Sequence, residues 1–234
     1  MKIALLGYGR MGKAIERIAT SRGHEIVAKI DKDNPNDSFA QANVAINFSV
    51  PSAAVGNITH ALHQGVPVIC GTTGWLDNKT EIEGLCKEKN GAFLYASNFS
   101  LGVNIFFALN KKLAQMMAPH KQYVASIEEI HHTEKLDAPS GTALTLAEGI
   151  LPYTTQNAWK LEDNASENDL PIKALREPHV PGTHTVTYRS DIDNIEIEHI
   201  AHNRDGFALG AVVAAEWIEG KNGIFTMNDV LNIT

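Results

Sequence analysis

The stretch KIALLGYGRMG, from Lys2 to Gly12, predicts how this chain begins to fold. Its first part, Ile3 to Leu6, is a short apolar run of the kind found in strands that are buried on both faces. Glycines follow at positions 7, 9 and 12, and apolar residues then recur at helical spacing as far as Ala19. The order strand, glycine-rich turn, helix predicts a β–α unit.

Each of the three glycines has its own physical role in such a unit. Gly7 permits the tight turn, Gly9 lets a pyrophosphate approach the backbone, and Gly12 lets the helix pack closely on the strand. Asp31 ends the second predicted strand, where an acidic side chain can accept hydrogen bonds from an adenosine ribose. Lys32 follows and could hold a 2′-phosphate. The pattern therefore predicts a dinucleotide site and leaves NADH and NADPH both open.

The alternation of strands and helices changes near residue 100. Before it, strand patterns alternate with helical ones, which predicts a parallel sheet with helices on both faces. These strands are expected at 3–6, 25–30, 44–48, 67–70 and 92–95, with a polar helix at 79–90. Later patterns are a helix at 103–117, a strand at 123–130, a helix at 139–150, a polar irregular stretch at 153–169, strands at 185–189 and 195–202, and a helix at 207–218.

These two regions predict an α/β protein of two domains. Residues 1–98 form a Rossmann-type dinucleotide-binding domain, and the tail from about 207 to 234 packs back on it. Residues 99–206 form an α+β domain for substrate binding and oligomerisation, built on an open mixed, mostly antiparallel sheet, because long strands follow one another without helices. The boundary is expected near Asn98.

Composition narrows the classes of partner. The formal net charge is −7 and no block of Lys or Arg occurs, which argues against nucleic acid and anionic membranes. The first apolar run stops at Leu6, too short for a signal peptide, and no apolar stretch is long enough to span a bilayer. Cys70 and Cys86 are interpreted as reduced, inert thiols. We expect a cytoplasmic protein.

A second stretch, EIHHTEKLDAPSGTAL from Glu129 to Leu144, gathers proton-handling and anion-binding groups. His131 and His132 would point to opposite faces of a strand, so a shared metal is not expected. Asp137 or Ser140 can cap the following helix, with Pro139 in its first turn. The purely structural interpretation is a capped helix with two exposed histidines before it.

The functional interpretation uses the same residues. The free N–H groups near Gly141 and Thr142 can hold a carboxylate, helped by the helix dipole. Lys135 can supply a full positive charge. His131 can deliver a proton, since an unperturbed histidine has a pKa of about 6.5.

Residues 129–143, with the pattern Glu-Ile-His-His-x-x-Lys-x-Asp-Ala-Pro-Ser-Gly-Thr-Ala, closely resemble the signature of the dihydrodipicolinate reductase (4-hydroxy-tetrahydrodipicolinate reductase) family. The resemblance extends over nearly the whole chain. Its other parts are the loop Gly9–Gly12, the Gly-Thr-Thr-Gly segment at 71–74, the hinge segment at 96–100 and the tail at 223–231.

This resemblance implies a function and its residues. A nicotinamide cofactor, NADH or NADPH, gives hydride to C4 of a cyclic imine dicarboxylate, and a proton follows at C3, in the diaminopimelate route to lysine. His131 would be the acid/base and Lys135 the second proton donor. The substrate carboxylates would be held by His132, Ser140, Gly141 and Thr142. The cofactor would be bound by Gly7, Tyr8, Gly9, Arg10, Met11, Gly12, Asp31, Lys32, Gly71, Thr72, Thr73, Ala96, Ser97, Asn98 and Phe99.

The resemblance also implies a homotetramer built through the sheet of the second domain, and closure of the two domains about Asn98, which Arg204 would favour.

Two alternative functions remain from the sequence. Another two-domain dehydrogenase, of the aspartate or homoserine type, would share the glycine loop but not the His-His-x-x-Lys pattern. A non-catalytic NAD-binding regulator would keep Gly9, Gly12 and Asp31 without needing His131 or Lys135.

Overall fold

A computed structural model describes residues 1–31, 38–39, 41–203 and 205–233. Lys32 and Arg204, both named above, lie outside the described residues. In chain order the elements are β1 (Lys2–Leu6), α1 (Arg10–Ser21), β2 (Glu25–Ile30), β3 (Val44–Asn47), α2 (Pro51–His63), β4 (Val68–Cys70), α3 (Lys79–Glu88), β5 (Ala92–Tyr95), α4 (Leu101–Met117), β6 (Val124–His131), α5 (Gly141–Ile150), β7 (Trp159–Leu161), β8 (Leu170–Arg176), β9 (Gly182–Arg189), β10 (Asn194–Ala201), α6 (Asp205–Ile218), β11 (Gly223–Phe225) and α7 (Met227–Leu231).

The contacts divide the chain into two units, Met1–Asn104 with Asp205–Thr234, and Ile105–Arg204. The first division falls after the first turn of α4, six residues later than the boundary expected at Asn98 (104 − 98). The second falls just before α6. The first unit therefore receives its last helices and one strand from the end of the chain.

The first unit is built on a six-stranded sheet in the order β11-β5-β4-β3-β1-β2, and its strands pair in parallel. Ile3 and Leu5 face one apolar cluster, which α1 and α6 complete. Ala4 and Leu6 face the other, which α2 and α3 complete. Because both faces are covered, the inner strands are mainly apolar, and the predicted parallel sheet of Rossmann type is confirmed.

The second unit is built on a five-stranded mixed sheet in the order β10-β9-β6-β8-β7. The β10–β9 and β9–β6 pairs are antiparallel, whereas β6–β8 and β7–β8 are parallel. One face packs Ile127, Ile172 and Val186 against α4 and α5. The opposite face carries polar side chains, including Thr185, Thr187, Glu196 and Glu198, so this sheet is open on one side.

No described helix is long and apolar enough to cross a membrane.

Candidate active site

The segments predicted to bind a dinucleotide follow four strands of the first sheet, β1, β2, β4 and β5. The glycine loop follows β1, and the Gly71 and Ala96 segments follow β4 and β5. Since these strands are parallel, their carboxyl ends meet at one edge. The chain places β2 on one side of β1 and β3 on the other, and nucleotides bind at such a switch point. The fold thus brings the predicted cofactor residues to the edge where a dinucleotide site is expected.

The glycine loop has the steric properties that a pyrophosphate site needs. Gly7 has a φ of +100°, and a Cβ there would overlap the carbonyl group of Phe48. A Cβ at Gly12 would overlap the carbonyl oxygen of Gly7, so only glycine permits this approach of α1. At Gly9, in contrast, a Cβ would meet no atom within 4 Å. The protein itself does not require glycine at position 9, and the space beside it suits a phosphate group.

The other predicted cofactor residues near β1 and β2 differ in their positions and contacts. Asp31 directly follows β2, as an acceptor for the ribose would. The Tyr8 hydroxyl donates to Glu16, and the ammonium of Lys29 lies 4.7 Å from the centre of the Tyr8 ring. Tyr8 is therefore held against α1 and β2 by polar contacts. Arg10 is exposed at the start of α1.

Two of the predicted cofactor residues have side chains that serve the protein's own structure. Phe99 is 1% exposed and lies in the apolar cluster under α6, so only its backbone could contact a cofactor. The Thr72 hydroxyl accepts a hydrogen bond from the backbone N–H of Ser49 at 2.9 Å and is buried. In the same region, the Asn98 side chain accepts from the backbone N–H of Ser100 at 2.9 Å.

His131 is the last residue of β6, and it shares the buried face of that strand with Glu129. Its Nδ1 lies 3.6 Å from Glu129 Oε2, just beyond hydrogen-bonding distance. Burial lowers the pKa of His131; Glu129 opposes this change, and the positive charges of Lys135 and Arg176 add to it. His132 lies just beyond the strand end and is half-buried. Since β6 ends at His131, the two histidines do not both lie on the strand, as the prediction of opposite faces had assumed.

His184 is a further histidine of this cluster that the sequence interpretation missed. It lies on β9 opposite Glu129, with its ring centre 5.0 Å from that of His131. Burial lowers the pKa of His184 to about 3, so the ring is neutral near pH 7. Its Nε2 lies 3.3 Å from the Ser140 hydroxyl, which can donate to it. The alternation of His184, Val186 and Tyr188 could have revealed it, but the strand was predicted to start only at Thr185.

Lys135 lies on the segment between β6 and α5, and its ammonium bonds both carboxylate oxygens of Asp137 at 2.8 Å. The side chain of Lys135 is 21% exposed, and that of Asp137 is 61% exposed. The hydrogen bonds from Lys135 lower the pKa of Asp137, which keeps it ionised. Of the two predicted caps, Asp137 and Ser140, the structure uses Ser140 and makes Asp137 the partner of Lys135.

The start of α5 supplies the anion-binding groups. Ser140 is the N-cap, and its hydroxyl accepts from the backbone N–H of Ala143 at 3.2 Å. The helix itself offers no acceptor to the N–H groups of Gly141 and Thr142. Ser140 is 3% exposed and bonded on all sides, so the structure favours a capping role over the predicted substrate contact. Pro139 precedes the cap and lies outside the helix, contrary to its predicted place in the first turn.

One arrangement in this unit bears on the prediction that no metal is bound. Glu129, His131 and His184 each place a potential ligand atom within 4.8 Å of the others, a cluster that the argument from His131 and His132 did not foresee. Glu129, however, already accepts bonds from the Ser140 N–H and from the guanidinium of Arg176. A cation placed there would face that guanidinium charge, so the contacts favour hydrogen bonding over metal binding.

Comparison with known families decides between the alternatives that the sequence left. The model of the dihydrodipicolinate reductase N-terminus matches residues 1–99, and that of its C-terminus matches residues 102–231. The chain belongs to the dihydrodipicolinate reductase family. The resemblance predicted from residues 129–143 is therefore confirmed, and a dehydrogenase of the aspartate or homoserine type is not favoured.

Individual relatives agree with this family assignment. A 4-hydroxy-tetrahydrodipicolinate reductase of Christiangramia forsetii is 57% identical, over 99% of this chain and 98% of the relative. That of Aquifex aeolicus is 42% identical, over 82% of this chain and 74% of the relative. A dipicolinate-bound dihydrodipicolinate reductase from Paenisporosarcina sp. TG-14 has the same fold, with a TM-score of 0.78 and 21% identity over 97% of both chains.

Proposed function

We propose that this protein reduces 4-hydroxy-tetrahydrodipicolinate to tetrahydrodipicolinate with NADH or NADPH, in the route to diaminopimelate and lysine. The substrate gains one hydride and one proton and loses its 4-hydroxyl group as water. The observation that carries the proposal is the segment from His131 to Thr142. It places a buried histidine, a lysine and the N-terminus of α5 along one short connection. The 57% identical relative of that name supports the same reaction.

The substrate is a small dicarboxylate, and the second unit offers matching groups. The N–H groups of Gly141 and Thr142 would bind one carboxylate, since the helix dipole favours negative charge there. The Lys135 ammonium, together with His132, would bind the other. Binding by Lys135 requires it to exchange the Asp137 carboxylate for that of the substrate. The relative that binds dipicolinate, a planar dicarboxylate, supports this substrate class.

The residues of the cofactor site can be assigned in the same way. Gly9 would face the pyrophosphate, at the N-terminus of α1, and Asp31 would accept hydrogen bonds from the adenosine ribose. When bound, the reduced nicotinamide supplies the hydride. We propose that both NADH and NADPH are used, because Lys32, which follows Asp31 in the sequence, could hold a 2′-phosphate.

His131 and Lys135 would supply charge and the proton. Hydride addition at C4 leaves electron density on the ring nitrogen and C3, which a nearby cation stabilises. Lys135 can give that stabilisation, and either residue can deliver the proton. Burial lowers the pKa of His131 and so favours the neutral imidazole in the free protein. A bound dianion would favour the imidazolium and so prepare the acid when substrate arrives.

We also propose that the active form is a cytoplasmic homotetramer that associates through the open face of the second sheet. The supporting observation is that this face, which carries Glu196 and Glu198 beside Lys173, packs against no helix of the described chain. The cytoplasm would keep the free, buried Cys70 and Cys86 reduced.

The reaction is tested with substrate that the preceding synthase generates in situ from pyruvate and aspartate semialdehyde. We expect oxidation of NADH and of NADPH that depends on both the synthase and this protein. Dipicolinate should inhibit competitively with the substrate. No oxidation of either cofactor under these conditions would exclude the proposed function.

A further inference from the structure

The loop from His132 to Pro139, which carries Lys135, contains neither helix nor strand. Its only described internal backbone hydrogen bond is a turn from the Lys135 N–H to the His132 carbonyl, at 3.0 Å. A loop with so few bonds of its own needs other groups to hold it. Since the proposed function requires the Lys135 ammonium at a defined place, the group that holds the loop affects the reaction.

Arg176, the last residue of β8, is that group. It lies beside His131 in the parallel pairing of β8 with β6. Its guanidinium donates to the backbone carbonyl of Asp137 at 2.6 Å and to that of Lys135 at 3.3 Å. The Lys135 ammonium and the Asp137 carboxylate bond each other across the same loop. One guanidinium therefore fixes the backbone of both members of this ion pair.

Glu129 in turn fixes Arg176. Its carboxylate is fully buried and accepts bonds from both terminal nitrogens of the guanidinium, at 3.3 and 3.4 Å. Both carboxylate oxygens also accept from the Ser140 N–H, at 3.1 and 3.2 Å. The same carboxylate thus holds the start of α5. Burying a charged group costs free energy unless it is paired and hydrogen-bonded, and Glu129 and Arg176 satisfy this condition for each other.

We infer that Arg176 and Glu129 are positioning residues, which aim the Lys135 loop and the N-terminus of α5 at a common substrate. This inference rests on the proposed function for its effect on turnover, but its structural part does not. The planar guanidinium is suited to the task, because it has five N–H donors in a fixed arrangement and can bond a carboxylate and two carbonyls together. A lysine in its place would keep the charge and lose that geometry.

The test is the variant Arg176→Lys, which retains the positive charge next to Glu129. Hydrogen exchange of the Lys135 amide, whose bond to the His132 carbonyl closes the turn of the loop, should become at least about tenfold faster, a change of about 1.4 kcal/mol in local opening, while β6 keeps its protection. In the synthase-coupled assay, kcat should fall at least about tenfold, with an unchanged dissociation constant for NADH. The matched control is Arg22→Lys, because the Arg22 guanidinium makes a bidentate hydrogen bond to the Glu216 carboxylate in the first unit, at 2.7 and 2.8 Å.

The outcomes separate this inference from the proposed function. An unchanged exchange rate of the Lys135 amide in Arg176→Lys would overturn the inference whether or not the wild type is active. So would a wild-type kcat in that variant. An inactive wild type would reject the proposed function, and faster exchange of the Lys135 amide alone would still support the structural role. Glu129→Gln should reproduce the effects of Arg176→Lys, and an unchanged exchange rate of the Lys135 amide in that variant would remove Glu129 from the arrangement.

Discussion

Replacing Gly9 with alanine tests the dinucleotide site without disturbing the fold. Gly9 is the N-cap of α1 with φ −78° and ψ −152°, an extended conformation that alanine can adopt. The added methyl group meets no protein atom within 4 Å. It would instead occupy the space in which the pyrophosphate approaches the backbone. Gly12→Ala is the opposite case, because its methyl group would overlap the Gly7 carbonyl oxygen.

The two substitutions should separate stability from binding. Alanine is a poorer N-cap than glycine, so Gly9→Ala should cost about 1 kcal/mol or less in the free energy of unfolding. Its affinity for NADH and NADPH should fall at least about tenfold, or about 1.4 kcal/mol. Gly12→Ala forces backbone atoms apart, and overpacking of this kind costs about 1–3 kcal/mol of stability.

Urea unfolding and fluorescence titration with each reduced cofactor provide the measurements. Gly84→Ala is the matched control, since Gly84 lies within α3 and a Cβ there meets nothing within 4 Å. That control should bind both cofactors normally and unfold at the same or slightly higher urea concentration. Wild-type affinity of Gly9→Ala for both cofactors would refute the assignment of this space to the pyrophosphate.

Three further predictions concern the second unit. His131→Gln and Lys135→Ala should each lower kcat about 100- to 10,000-fold in the synthase-coupled assay, as loss of an acid does, without weakening NADH binding. His184→Asn should unfold with a weaker dependence on pH: the wild-type ring has a pKa of about 3 when folded and about 6.5 when unfolded, so its contribution to stability falls as pH drops below 6.5. Asp137→Asn should bind dipicolinate about threefold more tightly in calorimetry, because a partly exposed carboxylate no longer competes for Lys135.

Each of these predictions has a contradicting outcome. Near-normal kcat in both His131→Gln and Lys135→Ala would remove them from the mechanism. Between pH 6.5 and 5, wild type should lose about 2 kcal/mol more stability than His184→Asn, and equal losses would show that His184 is not buried in its neutral form. Unchanged or weaker dipicolinate binding by Asp137→Asn would mean that Asp137 prepares Lys135 for the substrate rather than competing with it.

Much of the first unit could be predicted from the sequence because local patterns determine it. The apolar runs of β1, β3, β4 and β5 are largely buried on both faces and stand out from their surroundings. β11 was missed, since Gly223–Phe225 is too short to give a period and joins the sheet only by pairing with β5. Phe99 was assigned to the cofactor site from the family motif alone, which does not show that its side chain is buried in an apolar cluster.

The second unit was less predictable because its site depends on pairing between strands. β8 begins with Leu170-Pro171, and a proline argues against a strand that has neighbours on both sides. Without β8 there was no basis for placing Arg176 beside His131. Likewise, only the register of β6 with β9 brings His184 opposite Glu129. The residues proposed to react lie in one stretch of sequence, whereas Arg176 and His184, which lie beside that stretch, come from two other strands.

The most direct measurement is the mass of the product formed with deuterated cofactor. Substrate would be made by the synthase and incubated with NADH carrying deuterium on either face of C4 of the nicotinamide. We predict tetrahydrodipicolinate that contains one deuterium atom from one of the two labelled cofactors, with one NADH consumed per product. Unlabelled product with both cofactors, or unchanged substrate, would contradict the proposed function.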